Sequence, residues 1–191
     1  MGYAAKYLQA YGQSCTILRV PTVQSYVSLK RASRGATNPG TREAYWEGLI
    51  LAASSLASGE VFQIGSDKYL TLSAVTDPAT GELSVLTAKT NAALTHRRYT
   101  ETVDQYGNIT QSWTTLNTNV PAFGQIVTAE LRQQDPGLLD NARYVFQVAK
   151  SLGIQQMDRI IYNGANYQVE SVDDVALPGI VRIQLSTDTR A

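Results

Sequence analysis

The stretch Glu60-Val61-Phe62-Gln63-Ile64-Gly65-Ser66-Asp67-Lys68-Tyr69 returns later in the chain as Arg159-Ile160-Ile161-Tyr162-Asn163-Gly164-Ala165-Asn166-Tyr167, one residue shorter in its turn. Each copy reads as a β-hairpin, with apolar and aromatic arms meeting at a glycine-containing turn. Each then runs through a serine (Ser73, Ser171) and a turn (Asp77-Pro78-Ala79-Thr80-Gly81; Leu177-Pro178-Gly179) into a final strand. Upstream, Ala53-Ser54-Ser55-Leu56 matches Ala149-Lys150-Ser151-Leu152, and Tyr26-Val27-Ser28-Leu29-Lys30-Arg31 loosely matches Val127-Thr128-Ala129-Glu130-Leu131-Arg132. Order and a spacing of about one hundred residues are kept together, which is the signature of a tandem duplication.

Around that repeat the chain reads as mostly β. The expected architecture is two tandem small β-barrel or sandwich domains with a short N-terminal helix and long loops, 1–94 and 95–191. Tyr3, Tyr7 and Tyr11, four apart and followed by Gly12, predict a short helix whose aromatic stripe packs on its own protein. Strands are expected over Ser14–Arg19, Val23–Lys30 and Ala44–Ala53, with Pro21 interrupting the ladder. The stretch from Ala32 to Arg42, with Gly35, Pro39, Gly40 and the cations Arg34 and Arg42, predicts a basic exposed loop. Tyr99–Asp104 and Ile109–Trp113 flank Gln105-Tyr106-Gly107-Asn108, which predicts an exposed polar hairpin.

Composition narrows the function. With 43% hydrophobic and 17% charged residues the chain is of the globular class. Sixteen basic residues balance sixteen acidic ones, so no net field draws nucleic acid or an anionic membrane. Neither a signal-peptide core nor eighteen consecutive apolar residues occurs, giving an expectation of a soluble protein made in a cytoplasm. The single cysteine, Cys15, lies in an apolar run and reads as a buried hydrophobe.

Little in the sequence carries chemistry. His96 stands between Thr95 and the cations Arg97 and Arg98 and reads as a surface linker histidine without an orienting carboxylate. One histidine and one cysteine cannot build a zinc site, and Asp173-Asp174 or Asp77 with Glu82 lack the alternating acidic loop of a calcium site. No glycine-rich phosphate loop is present. The expectation is therefore a non-enzyme with no catalytic residue, cofactor or metal, and no small-molecule substrate or membrane partner. Arg31, Arg34 and Arg42, and again Arg97 and Arg98 beside Tyr99, form two basic clusters. They read as solvated loops or a surface for an acidic protein partner, with non-specific contact to nucleic acid backbone as the alternative.

The run Asp158-Arg159-Ile160-Ile161, Gly164, Tyr167 and Val169-Glu170-Ser171-Val172-Asp173, with Asp104-Gln105-Tyr106-Gly107-Asn108 ahead of Trp113, resembles the head-to-tail joining proteins of tailed bacteriophages, stoppers included. The resemblance is clearest over residues 99–190. It implies a virion protein made in the bacterial host cytoplasm: a homo-oligomeric ring of six or twelve copies between portal or adaptor and tail proteins, helping to close or guide the DNA channel. The duplication suggests how twelvefold and sixfold rings could meet. The expected interface comprises Arg31, Arg34, Arg42, Arg97, Arg98, Tyr99, Tyr106, Asn108 and Trp113, because arginine and aromatic anchors dominate interfaces. Two other readings are another ring-forming tail or baseplate component, and a carbohydrate- or surface-binding β module with Trp46 and Trp113 as a sugar platform.

Overall fold

A computed structural model of the chain describes residues 2–32 and 44–190. Two compact units divide it: Met1–Thr90 with Asp174–Ile180, and Asn91–Asp173 with Val181–Ala191. In the first, helix α1 (Tyr3–Tyr11) precedes strands β1 (Gln13–Ile17), β2 (Val23–Arg31), β3 (Tyr45–Ile50), β4 (Val61–Ile64), β5 (Asp67–Thr76) and β6 (Leu83–Lys89). The second half carries β7 (Ala92–Val103), β8 (Ile109–Ile126), helix α2 (Ala129–Gln134), β9 (Tyr144–Ala149), β10 (Arg159–Tyr162), β11 (Ala165–Asp173) and β12 (Ile180–Thr187). The strands close into two barrels, in the orders β1-β2-β3-β6-β5-β4 and β10-β11-β12-β9-β8-β7, which are the same circuit read in opposite directions. Both expected features, the β-rich class and the paired barrels, are present.

The duplication is closer in structure than in sequence. Phe62 faces Tyr69 across the first hairpin and Ile160 faces Tyr167 across the second, a spacing of 98 residues (62 to 160). At that same spacing the bulge between Thr71 and Ser73 on β5 recurs between Val169 and Ser171 on β11. A single-turn 3-10 helix precedes each hairpin (Ala52–Ser54, Lys150–Leu152) and ends on a left-handed residue, Ser55 (φ 50) or Gly153 (φ 62). Strands β1 and β7 are related by a smaller spacing, since Ile17 lies opposite Phe62 and His96 opposite Ile160. Inward residues fill each barrel separately: Ile17, Val27, Ile50, Phe62 and Val85 in one, Leu94, Phe146, Ile160, Val169 and Leu185 in the other.

Three expectations need correction. Val127–Arg132 does not repeat strand β2. Thr128 instead caps α2, its hydroxyl accepting the Leu131 N–H, and Glu130 lies in the first turn, where a carboxylate favours helix. The turns of the two hairpins are equal in length, because the true pairing sets Val61 against Arg159 and moves the register by one residue. The tyrosine stripe of α1 faces outward: Tyr3, Tyr7 and Tyr11 are 87, 51 and 77% exposed, while Ala5 and Leu8 do the packing.

One matching pair of positions shows how the copies diverged. In the first barrel Leu29 on β2 faces Gly48 on β3; at the matching place Gly124 on β8 faces Phe146 on β9. A Cβ on Gly48 would meet the Ser28 and Leu29 backbone, a close approach of the two strands, whereas Gly124 leaves room for the Phe146 ring. A Cβ on Gly124 would lie 2.1 Å from the Phe146 ring. Gly124→Ala is therefore expected to lower unfolding free energy by about 2 kcal/mol, and Phe146→Leu in the same chain to recover part of it. Denaturant titration of the two variants and the double variant checks this; additive losses would contradict it.

Candidate functional site

Each barrel is closed by pairing of its first strand with the hairpin that follows the 3-10 turn, and beside that seam an arginine holds a carboxylate. In the first barrel Arg19, just past β1, donates to Glu60 (3.1 Å) and to the Ser54 and Ser55 carbonyls (2.6 and 3.3 Å). Glu60 in turn accepts the Ala57 N–H at 2.8 Å. In the second, Arg98 on β7 donates to both oxygens of Asp158 (2.9 and 2.8 Å) and to the Gly153 carbonyl (2.7 Å). Asp158 accepts the Gln155 N–H at 2.7 Å. Glu60 and Asp158, Ser55 and Gly153, and Ala57 and Gln155 each stand 98 apart (60 to 158), so the latch is part of the duplicated unit.

The second latch is the deeper one. Asp158 exposes 4% of its side chain, and His96, fully buried, lies 2.8 Å from its Oδ2. Asn117 Nδ2 sits 3.2 Å from His96 Nδ1. One ring nitrogen thus meets the carboxylate and the other the Asn117 amide. This overturns the reading of His96 as a surface histidine. Side chains alternate along β7, so Arg97 points away and bonds the Thr115 hydroxyl (3.0 Å), while His96 turns inward to the position that Ile17 occupies in the first barrel. Burial pushes the Asp158 carboxyl up, but hydrogen bonds from Arg98, His96 and the Gln155 N–H outweigh it and hold the group well below the usual carboxylate range.

A second charged cluster forms the base of the long β7–β8 hairpin. Asp188, its carboxylate fully buried, binds Arg159 (2.7 Å) and Arg190 (2.8 Å), whose guanidinium groups lie 3.7 and 4.9 Å from the Trp113 ring centre. Burial raises the Asp188 carboxyl and the two arginines lower it more, to about 2. Tyr99 meets Trp113 edge-on at 5.4 Å. Trp46 is likewise engaged, with Arg31 at 5.9 Å and Tyr69 edge-on at 6.2 Å. Contacts of this kind bind both indoles to their own barrels, which weakens the sugar-platform reading.

Beyond Trp113 the hairpin leaves its barrel. Pairing continues from Tyr99 opposite Trp113 to Val103 opposite Ile109. Residues 101–110 are exposed on both faces, including Val103 (66%), Tyr106 (81%) and Ile109 (61%). Its turn is made by Asp104, whose Oδ1 accepts the Tyr106 and Asn108 N–H groups (2.8 and 2.9 Å) while Oδ2 accepts Asn108 Nδ2 (2.8 Å). These bonds, led by that from the Asn108 side chain, lower the Asp104 carboxyl. Gly107, at φ 84, takes the left-handed position the turn requires.

The expected interface residues therefore fall into different settings. Tyr99, Tyr106, Asn108 and Trp113 share the arm and its base, with Asn108 spent on the turn. Arg97 and Arg98 are on the barrel wall, bonded to Thr115 and Asp158. Arg31 ends β2 over Trp46. Arg34 and Arg42, with most of the expected loop, lie outside the described residues. The residues that sequence reasoning missed are His96, Asp158, Glu60 and Arg19; the matching of Glu60 with Asp158 is readable only once the hairpins are aligned at 98, and the two arginines, 79 apart (19 to 98), follow the different spacing of β1 and β7. Among the described residues no group of three or more His, Cys, Asp or Glu could hold a metal ion. Burial raises the Cys15 thiol to about 11, which suits a packed, unreactive side chain.

Removing Asp158 leaves Arg98 and His96 facing an uncharged partner in a buried setting. Asp158→Asn is expected to cost about 3 kcal/mol at pH 7, read from denaturant unfolding. A carboxylate whose folded pKa is depressed stabilises the fold above its unfolded value near 4, and that stability is lost as pH falls through the folded value. The wild-type chain should thus weaken as pH falls from about 4 to below 2, and Asp158→Asn should flatten that slope; an unchanged slope would contradict the assignment.

A search of curated proteins returns no match. The family model described as phage head completion protein matches residues 86–181. That span contains the second barrel's β7 through β11, the whole arm and the Asp158 latch. The chain accordingly belongs to the phage head completion protein family.

Proposed function

We propose that this chain forms a homo-oligomeric ring of six or twelve copies in the neck of a tailed phage, joining the head portal or adaptor to tail proteins and helping to close or guide the DNA channel. Family membership makes it a structural protein of the phage head-to-tail region. The observation that supports the finer reading is the exposed arm on a closed barrel. Among the described residues the barrel walls close on themselves, and unpaired strand edges fall on the arm, where residues 99–103 and 109–113 pair with each other. Contacts with neighbours then fall to the β7–β8 arm, with the exposed tyrosines of helix α1 as a second candidate surface. An arm with no buried face of its own is marginal in water and gains order when a partner covers it.

The two halves, 1–94 and 95–191, would act as two similar ring elements in each copy, so six copies present twelve barrels. The role requires no bond to be made or broken. We infer that any non-specific contact with channel DNA uses the first basic cluster of the sequence, Arg31, Arg34 and Arg42. Replacing those three arginines by alanine should reduce the salt dependence of DNA binding by about three released counterions, measured as the slope of log affinity against log salt. An unchanged slope would remove the assignment.

Native mass spectrometry of the assembled particle tests the ring. Six or twelve copies are expected, and a chain lacking Gln105–Asn108 should assemble less well while its barrels unfold at the same denaturant concentration. Any other copy number, or full assembly without the arm tip, would overturn the proposal.

A further inference from the structure

The β7–β8 arm has two unlike faces, since side chains alternate along paired strands. Tyr99, Trp113, Val103 and Ile109 share one; Thr100, Thr102, Thr110 and Ser112 share the other. At the base the first face is covered. Arg159, from β10, and Arg190, from the segment that follows β12, set their guanidinium groups over Trp113, and Asp188, fully buried in that same segment, bonds both. The segment is in turn fastened to the barrel. The Asp188 N–H donates to the Asn166 carbonyl (3.1 Å), the Arg190 guanidinium to the Met157 carbonyl (3.0 Å) and the Arg159 guanidinium to the Arg190 carbonyl (2.6 Å).

Comparison of the two halves shows that this cluster accompanies the arm. At the matching place in the first barrel the Thr90 N–H donates to the Lys68 carbonyl (2.9 Å), 98 residues before the Asp188 bond (90 to 188, 68 to 166), and Val61 stands where Arg159 stands. The backbone bond is thus common to both halves, whereas the side chains are a valine and a threonine in one and an arginine and a carboxylate in the other. The half with neutral side chains joins its first two strands through residues 18–22; the half with charged ones joins them through the arm. A buried carboxylate with two arginines carries a desolvation cost that neutral residues avoid, so stability alone is a weak reason for it. What the charged cluster adds is a grip on Trp113, a residue of the arm.

We infer that the segment 188–190 is a strap that sets the direction in which the arm leaves the second barrel, with Asp188 holding Arg159 and Arg190 against Trp113. Planar guanidinium groups lying on an aromatic ring resist tilting of the strand that carries the ring. The strap grips the base through side chains and leaves the ladder beyond it to its own bonds. An arm of fixed direction loses less freedom on meeting a partner than a swinging one, which favours binding without adding contact area. The inference concerns the isolated chain and holds whether or not the ring proposed above forms.

Distances between paired spin labels on the full chain, with Cys15→Ser throughout, test the strap. Labels at Thr102→Cys and Asn141→Cys report the arm against its barrel, and labels at Ala165→Cys and Asn141→Cys report the barrel alone; all three positions are exposed. Arg190→Ala and Asp188→Asn should each widen the first distance distribution about twofold or more and leave the second unchanged. If the first keeps its width in Arg190→Ala, or if both distributions widen together, the strap assignment is wrong. The Arg190 side chain is 29% exposed, so its alanine variant decides the matter by itself should Asp188→Asn fail to fold.

Discussion

An arginine gripping a carboxylate beside the seam of each barrel is the constraint on which the rest of the structure depends. A barrel closes only if its first strand finds the right partner at the right register, because a slip of one residue turns every inward side chain outward. Arg19 and Arg98 fix that register from the side. Arg19, just past β1, and Arg98, within β7, each tie the first strand to the carboxylate that opens the closing hairpin, and to carbonyls that end the 3-10 turn before it. The carboxylate then takes a backbone N–H from the same turn. One ion pair thus positions three segments distant in sequence, which is why it outlived the divergence of almost everything around it.

Divergence has concentrated where the latch does not reach. The pair Leu29–Gly48 in one copy corresponds to Gly124–Phe146 in the other, with the large side chain on the opposite strand. The Ile17 position became His96, a polar side chain made tolerable by Asp158 and Asn117. The connection between first and second strands, short and closed through a cis Val20–Pro21 bond in one barrel, became an arm in the other. Insertion there costs the barrel little because that turn lies outside the ladder.

Much of this was legible in the sequence, and the misses have physical causes. The hairpins announced themselves through alternating apolar residues and glycine turns, and the polar hairpin through Asp104 to Asn108. The loose match of Val127–Arg132 to Tyr26–Arg31 fails because a short amphipathic run reads either way, and the helical signal lies in Thr128 as cap rather than in periodicity. His96 was misplaced because adjacent cations in sequence are not adjacent in a strand: Arg97 faces away, and the carboxylate that matters is sixty-two positions on. The tyrosines of α1 carried a helical period without saying which way the stripe faces. Periodicity finds a face; only packing says what covers it.

The proposed role rests on a division between closed barrels held by their latches and an arm whose residues 101–110 are exposed. Hydrogen exchange compared between the free chain and the assembled particle probes that division directly. Amides of residues 99–113 should exchange fast in the free chain and slow markedly on assembly, while those of Ala57 and Gln155, bonded to the latch carboxylates, stay protected in both. An arm that exchanges equally fast before and after assembly, or latch amides that gain protection only on assembly, would contradict it.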